Sequence, residues 1–247
     1  MDKQQVIFKD LGIIGYKPAW DLQEELVKEN SAIKSGAGKF SMAGEYPSIQ
    51  GLADRFAIPT KNYLLFCEHP PVYTLGKSGS MENVLLTEAE MNKKDIQFFN
   101  TNRGGDITFH GLEQIVGYPI LDLEKFYTDV GKYLRNLEEV IIQTIGEYGI
   151  IAGRSPGETG VWIDPDIKGR ERKICAMGIR CSRWITMHGF ALNVNTDLGF
   201  FENIIPCGIQ NKKVTSMEKE LQQKVSLDEV KWSLKNNFSK IFNVTII

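Results

Sequence analysis

Short runs of apolar residues recur along the chain and predict the strands of a sheet. The run Tyr63–Cys67 is followed by Pro70 and Pro71, and a proline pair cannot continue a central strand. Comparable runs occupy Ile115–Leu121, Val161–Ile163, Ile174–Ile179 and Phe190–Val194. Several of these runs are apolar at successive positions, as strands are when both faces of the sheet are covered. The pattern therefore predicts a sizeable mixed sheet.

Other segments repeat apolar residues at spacings of three and four, which is typical of amphipathic helices. One runs from Pro18 to about Ile33, with the proline near the first turn, where its missing N–H costs nothing. A longer one is predicted over Phe126–Tyr148. A third follows Ser226–Glu229, which has the pattern of a capping box. Residues 35–51 are rich in glycine and serine, and they predict a long surface loop.

No repeat or change of composition divides the 247 residues. We therefore predict a single α/β (α+β) domain over residues 1–247, with helices flanking the mixed sheet and a small C-terminal lobe from about residue 210. The helix caps and apolar periodicity support a complete core without a partner, so we expect a monomer.

Composition narrows the class of protein. The chain is 42% apolar and 24% charged, with a formal net charge of −2, which argues against a general nucleic-acid binder. It contains no signal-peptide core and no apolar stretch long enough to span a membrane, so we expect a cytoplasmic protein. The four cysteines are widely spaced, and we expect reduced thiols.

A glycine-rich segment before the apolar run at Ile115 concentrates groups that can contact a ligand. Its members are Arg103, Gly104, Gly105, Asp106, Ile107, Thr108, Phe109, His110 and Gly111. Adjacent glycines allow backbone N–H groups to approach a ligand, and Arg103 and His110 can anchor polar groups. The alternative is a tight turn with a surface ion pair.

Cys207 is the cysteine whose surroundings suit a nucleophile. Pro206 fixes the backbone before it, and Gly208 leaves the approach to the sulfur open. The alternative is a small buried hydrophobic residue, which describes Cys67, Cys175 and Cys181 better.

A thiol with a pKa of about 8.5 needs a neighbouring cation or base to react at neutral pH. His110, His188 and Lys173 are candidates. Lys173 stands at the head of an apolar strand, where its alternative role is that of a snorkelling strand-end residue.

An aromatic-rich turn at Trp184 leads into a strand that contains Gly189 and Ala191. Core packing explains most of this segment, but small residues on an apolar wall also suit an alkyl chain. The sequence contains no phosphate-binding loop for a nucleotide. Gly76-Lys77-Ser78 resembles the end of such a loop, but the glycine required five residues earlier is Pro71. The chain lacks CxxC and HExxH pairs, so we expect neither a metal nor a cofactor.

Together, these segments resemble the lipoyl(octanoyl) transferase family, whose members start protein lipoylation by moving octanoate from acyl carrier protein. The resemblance lies in Glu68–Gly76, Arg103–Gly111, Gly117–Pro119, Gly160–Trp162, Lys173–Gly178 and Trp184–Ile209. Weaker similarity reaches back to Asp10-Leu11-Gly12 and Tyr16. One departure is that Leu112-Glu113 stands where the family usually has Pro-Gly.

The resemblance implies a fold like that of biotin and lipoate protein ligases, with Cys207 as the acyl-thioester nucleophile and Lys173 as its partner. It implies substrate contacts from Arg103–His110, from Ala176, Met177 and Gly178, and from Gly189, Phe190 and Ala191. The implied donor is octanoyl-acyl carrier protein, and the implied acceptors are lipoyl domains of 2-oxoacid dehydrogenase complexes and the glycine cleavage H protein. A docking rim for an acidic carrier is predicted from Lys168, Arg170, Arg172, Arg180 and Arg183.

Other classes of protein stay open from the residues alone. An ATP-dependent lipoate ligase or related amidotransferase of the same fold would need nucleotide but not Cys207. A non-catalytic acyl-binding protein would keep the apolar wall and tolerate loss of the thiol and of Lys173. A thiol hydrolase would use a histidine base and release the acid to water.

Overall fold

The computed structural model describes residues 3–36, 59–205 and 213–247. Most of the predicted loop at 35–51 lies outside the described residues, and so does Cys207. The described strands are β1 (Gln4–Ile13), β2 (Asn62–Glu68), β3 (Val72–Leu75), β4 (Gln97–Asn100), β5 (Ile107–His110), β6 (Gln114–Ile120), β7 (Val161–Ile163), β8 (Arg172–Ser182), β9 (Ile185–Asn193), β10 (Lys213–Val214) and β11 (Val244–Ile246). The described helices are α1 (Tyr16–Lys34), α2 (Glu88–Lys93), α3 (Val130–Gly146), α4 (Met217–Leu221) and α5 (Leu227–Phe242).

The large sheet is mixed, as predicted. Its strand order is β10-β8-β9-β6-β2-β1-β11, and β7 pairs with β8 outside this path. The inner strands β2, β6, β9 and β8 are antiparallel neighbours, whereas β1 lies parallel to both β2 and β11. All five apolar runs form strands of this sheet, although β8 and β9 are longer than the runs that predicted them.

The inner strands are apolar at successive positions because both faces of the sheet are covered. In β2, Leu64 and Phe66 join the core beneath α3 and α5, while Leu65 and Cys67 join a second core beneath α1. Alternate residues of a strand point to opposite faces, so burial on both sides requires an unbroken apolar run. The prediction of an α/β fold with flanking helices is confirmed.

The predicted helices form, with different limits. α1 begins at Tyr16, two residues before Pro18, so the proline does lie in the first turn. The prediction that the second helix starts at Phe126 is wrong, because Asp129 caps α3 by accepting a hydrogen bond from Lys132 N at 2.9 Å. In α5, Ser226 caps the helix by accepting from Glu229 N, which confirms this half of the predicted capping box.

A second sheet of order β4-β3-β5 was not predicted. Its strands have four residues each, which is too short for a periodic pattern to identify. β5 contains Ile107–His110, so four of the nine residues of the glycine-rich segment form a strand. The turn after it places Glu113 at a φ of 58°, a left-handed conformation that favours glycine, at the position where the family usually has one.

The described C-terminal part is tied to the large sheet. β11 pairs in parallel with β1, and Val230, Leu234 and Phe238 of α5 belong to the same core as α3. A separate lobe from about residue 210 stays a prediction. No helix within the described ranges is long and apolar enough to cross a membrane.

Candidate active site

A cavity of about 440 Å³ lies between the two sheets, beside β8 and β9. The predicted site residues that line it are Arg103, Gly104, Gly105, Asp106, Ile107, Thr108, His110, Lys173, Ala176, Met177, Gly178, Gly189, Phe190 and Ala191. Phe109 does not line the cavity, and its ring stacks on Phe200 at 4.5 Å and packs against Phe201, which does line it. The structure thus gathers segments that are far apart in the sequence around one space.

The floor of the cavity is made of small residues on two paired strands. Ala176 of β8 pairs with Ala191 of β9, and Gly178 pairs with Gly189. On the neighbouring strand β6, a Cβ at Gly117 would lie 2.2 Å from the Phe190 ring, so this glycine makes room for the ring. Small side chains here keep an apolar surface open beside the cavity, which is the surface that an alkyl chain needs.

The glycine-rich turn is held over this floor by Arg103. The buried guanidinium donates to the backbone carbonyls of Thr74, Gly104 and Asp106. Gly104 N donates to Ile179 O at 2.8 Å, which fixes the turn on β8. The Asp106 carboxylate instead accepts from Asn83 Nδ2 and Ile107 N. Arg103 therefore shapes the turn through backbone carbonyls.

Gly178 is the position where this turn comes closest to the floor. A Cβ there would lie 2.6 Å from Gly104 O and 3.3 Å from the Arg103 side chain. Gly178→Ala is expected to lower the free energy of unfolding by about 1–3 kcal/mol through overpacking. It is also expected to displace the turn and so reduce ligand binding and activity. Thermal unfolding compared with Gly146→Ala is the measurement, because a Cβ at Gly146 meets nothing within 4 Å. Equal stability of the two variants would contradict the tight contact.

The three histidines of the chain are all buried at or near the cavity. His110 contacts Gln114 Oε1 through Nδ1 at 2.9 Å, and the Tyr16 ring stacks on it. His69 contacts Ile14 O through Nδ1 and the Tyr118 hydroxyl through Nε2. Burial lowers the pKa of His69 to about 4, and it holds the pKa of His110 well below its usual range, helped by the nearby charges of His69 and Arg103.

His188 is held in an unusual way. Its backbone has a φ of 60° within β9, a conformation that non-glycine residues rarely adopt. Asn102 donates to Glu24 through Nδ2, so its Oδ1 accepts from His188 Nε2 at 2.7 Å, and this assigns the proton to Nε2. Burial, with the charges of Arg103 and Arg180, lowers the pKa of His188 to about 3. The imidazole is therefore neutral at physiological pH.

These buried histidines predict acid sensitivity of the fold. Unfolded histidines titrate near a pKa of about 6.5, whereas His69 and His188 titrate near 4 and 3 when folded, so the unfolded chain binds more protons between these values. The stability that these neutral histidines provide is fully present above about pH 6.5, and it is lost as the pH falls toward their folded pKa values. Each histidine should lower the free energy of unfolding by roughly 1 kcal/mol per pH unit in that window. Urea unfolding at pH 7.5, 6.5 and 5.5 tests this, and a constant free energy of unfolding would contradict it.

Lys173 stands where three strands meet. It pairs with Trp162 of β7 on one side and with Val214 of β10 on the other. Its ammonium lies over the Trp162 indole, with Nζ 4.6 Å from the ring centroid, which is a cation–π contact. A Cβ added at Gly160 would lie 3.5 Å from Lys173 Cε, so this glycine lies beside the stem of the lysine. Trp162 and Gly160 thus define where the amine lies.

Described residues precede and follow the segment that contains Cys207 in the sequence, and those that follow it lie beside Lys173. On one side, Ile205 N donates to Asn83 O at 2.9 Å. On the other side, Val214 lines the cavity and pairs with Lys173, and Thr215 N donates to Lys173 O. Cys207 precedes Val214 by seven residues in the sequence and lies outside the described residues. Of the other cysteines, Cys67 and Cys175 are buried free thiols, and burial raises the pKa of both.

Several residues near the cavity were missed from the sequence. Tyr16 and Glu158 line it, and Glu138 holds the backbone beside it. Tyr16 belongs to the weakly similar N-terminal segment, and Glu138 is a carboxylate within the apolar face of a predicted helix, which is unexpected. The proposed basic rim is also partly paired, because Arg172 binds Asp164 and Glu220, while Arg180 binds Glu24.

The sequence is similar to known proteins along nearly all of its length. Residues 50–239 match the lipoyl protein ligase A/B catalytic domain. The octanoyltransferase of Christiangramia forsetii is 53% identical, with 98% of each chain covered. That of Flavobacterium johnsoniae is 52% identical, with 99% of each chain covered.

Solved structures share the fold at much lower identity. The bi-partite lipoate protein ligase of an archaeal lipoylation system from Thermoplasma acidophilum gives a TM-score of 0.66 at 18% identity, covering 100% of this chain and 86% of that one. A lipoate-protein ligase A bound with ATP gives a TM-score of 0.64 at 16% identity, covering 100% of this chain and 90% of that one. These likenesses confirm the predicted lipoate-ligase-like fold.

Proposed function

Because the chain belongs to the octanoyltransferases of the lipoyl protein ligase A/B catalytic domain family, we propose that it transfers an octanoyl group from acyl carrier protein to a lysine of a lipoyl domain. The acceptors are then the lipoyl domains of 2-oxoacid dehydrogenase complexes and the glycine cleavage H protein, and the enzyme acts in the cytoplasm. The observation that supports this most is a cavity with a floor of small residues that also reaches the Lys173 side chain.

The proposed reaction passes through a thioester on Cys207. Lys173 and Cys207 share a proton, and the Cys207 thiolate attacks the carbonyl carbon of the octanoyl thioester. Backbone N–H groups near Cys207 stabilise the oxyanion, for which one such donor is worth about 10²–10³ in rate. When the carbon–sulfur bond to the carrier breaks, Lys173 protonates the departing thiolate.

The second half transfers the acyl group to nitrogen. The neutral amine of the target lysine attacks the acyl-enzyme, Lys173 accepts the proton that this amine loses, and the Cys207 thiolate departs. Thioester is exchanged for amide, which is downhill, so no nucleotide is required. Lys173 is suited to both halves because its amine is held over the Trp162 ring at the edge of the cavity.

The buried histidines argue against the thiol hydrolase. His188 has a pKa of about 3, and the pKa of His110 is held well below its usual range, so both are weak bases at neutral pH. Both also have a ring nitrogen engaged by an amide side chain, Asn102 or Gln114. Lys173 is the better partner for the thiol.

The test is transfer without nucleotide. The purified protein, octanoyl-acyl carrier protein and an apo lipoyl domain are mixed without ATP, and the mass of the lipoyl domain is followed. We expect octanoylation of one lysine. Modification that requires ATP and free octanoate would instead identify a ligase, and binding of the octanoyl carrier without modification would identify a binding protein.

A further inference from the structure

Glu138 is a charged residue in an apolar position. It lies on α3 between Leu137 and Ile141, and its side chain is 0% exposed. A buried carboxylate is costly unless it is paired and hydrogen-bonded, so its partners indicate why it is there.

Those partners are the two ends of one loop. Oε2 accepts from Arg154 Nε at 3.0 Å, and Oε1 accepts from Gly160 N at 3.0 Å. Arg135, one turn earlier on the helix, adds an ion pair to Oε2 at 2.8 Å. One carboxylate therefore fixes the segment from 154 to 160 at both its beginning and its end.

This segment borders the reactive end of the cavity. Gly157, Glu158 and Thr159 line the cavity next to Lys173. Gly160 has a φ of 116°, and a Cβ there would lie 2.5 Å from Cys175 O, so its backbone is pressed against β8. A shift of Gly160 moves the surface on which the lysine stem packs and the strand that carries Trp162.

We propose that Glu138 is a positioning residue, which anchors the 154–160 loop so that the Lys173 amine stays over Trp162 and beside the cavity. Its importance for catalysis rests on the proposed function, in which Lys173 transfers protons. The anchoring itself is a property of the fold that can be measured without any substrate.

The experiment compares Glu138→Gln with Glu139→Gln. Glu139 is the next residue on α3 and accepts from Arg154 Nη2 at 2.7 Å, and its two hydrogen bonds go to Arg154 and Gln143. The control thus removes a carboxylate from the same arginine and leaves the Glu138–Gly160 bond in place. Glu138→Asp, which keeps the charge on a shorter side chain, serves as a second variant should Glu138→Gln fold poorly.

Three readouts are taken on each protein. Hydrogen exchange of the peptide that contains Gly160 reports the anchor, and acetylation of Lys173 by an N-hydroxysuccinimide ester reports the access and position of its amine. Steady-state octanoyl transfer gives kcat and KM separately. We expect Glu138→Gln to speed exchange at Gly160, alter Lys173 acetylation, and lower kcat on the order of 10²-fold with little change in KM for the carrier. Glu139→Gln should match the native protein.

Native exchange and acetylation in a folded Glu138 variant would overturn the proposal, and so would a native kcat. A loss of kcat that merely follows a general loss of protection throughout the chain would also overturn it. If the native protein transfers no octanoyl group, the proposed function fails, while exchange and acetylation still decide whether Glu138 anchors the loop.

Discussion

Cys207→Ala should eliminate the octanoyl adduct that we expect on the native protein when it is mixed with octanoyl-acyl carrier protein in the absence of a lipoyl domain. Alanine cannot form a thioester, so neither half of the proposed reaction can proceed through the enzyme. Loss of a covalent nucleophile commonly costs several orders of magnitude, and we expect transfer to fall by at least about 10³-fold. Intact mass before addition of any lipoyl domain is the measurement.

The other cysteines provide the control. Cys181 is half-buried and free, and burial raises the pKa of its thiol. Cys181→Ala should therefore leave the adduct unchanged. An adduct of normal yield on Cys207→Ala would refute the assignment of the nucleophile, and its location by peptide mapping would identify the residue that carries the acyl group.

Lys173→Met is expected to have the second largest effect. Methionine retains much of the side-chain volume that packs against Gly160, but it cannot hold or transfer a proton. General acid–base groups contribute about 10²–10⁴ in rate, and we expect kcat to fall within that range while the fold is kept. The rate of adduct formation should fall too, because activation of the thiol is lost in the first half of the reaction.

Lys213→Met is the matched control for this change. Lys213 lies on β10 and pairs with Arg172, the neighbour of Lys173, and its side chain is exposed. Its replacement alters local charge equally and should leave transfer near the native rate. Equal losses in the two variants would mean that charge near β8, and not proton transfer by Lys173, explains the result.

Much of the fold could be predicted because burial determines which positions along the chain are apolar. Strands covered on both faces, such as β2 and β6, must be apolar at successive positions, and helices packed on one face repeat at three and four residues. Ser226 could be identified as a cap because capping depends on residues three apart. The glycines at 104, 105, 178 and 189, together with Lys173, could be singled out by their residue types and the family resemblance.

Other features follow from contacts that the local sequence does not encode. The strands β3, β4 and β5 are too short to show a period. His188 adopts its left-handed conformation while bonded to Asn102, 86 residues away, and buried beside Arg103. Glu138 reaches Gly160 across 22 residues and becomes an anchor only because α3 packs against the loop before β7.

The sequence by itself determined the family, the central strands, the main helices and about half of the residues that line the cavity. Tertiary structure decided the protonation of the histidines, the anchoring of the loop beside Lys173, and the cation–π contact that fixes its amine. The physical reason is that burial and electrostatic pairing depend on distance in space, whereas periodicity and capping depend on distance along the chain.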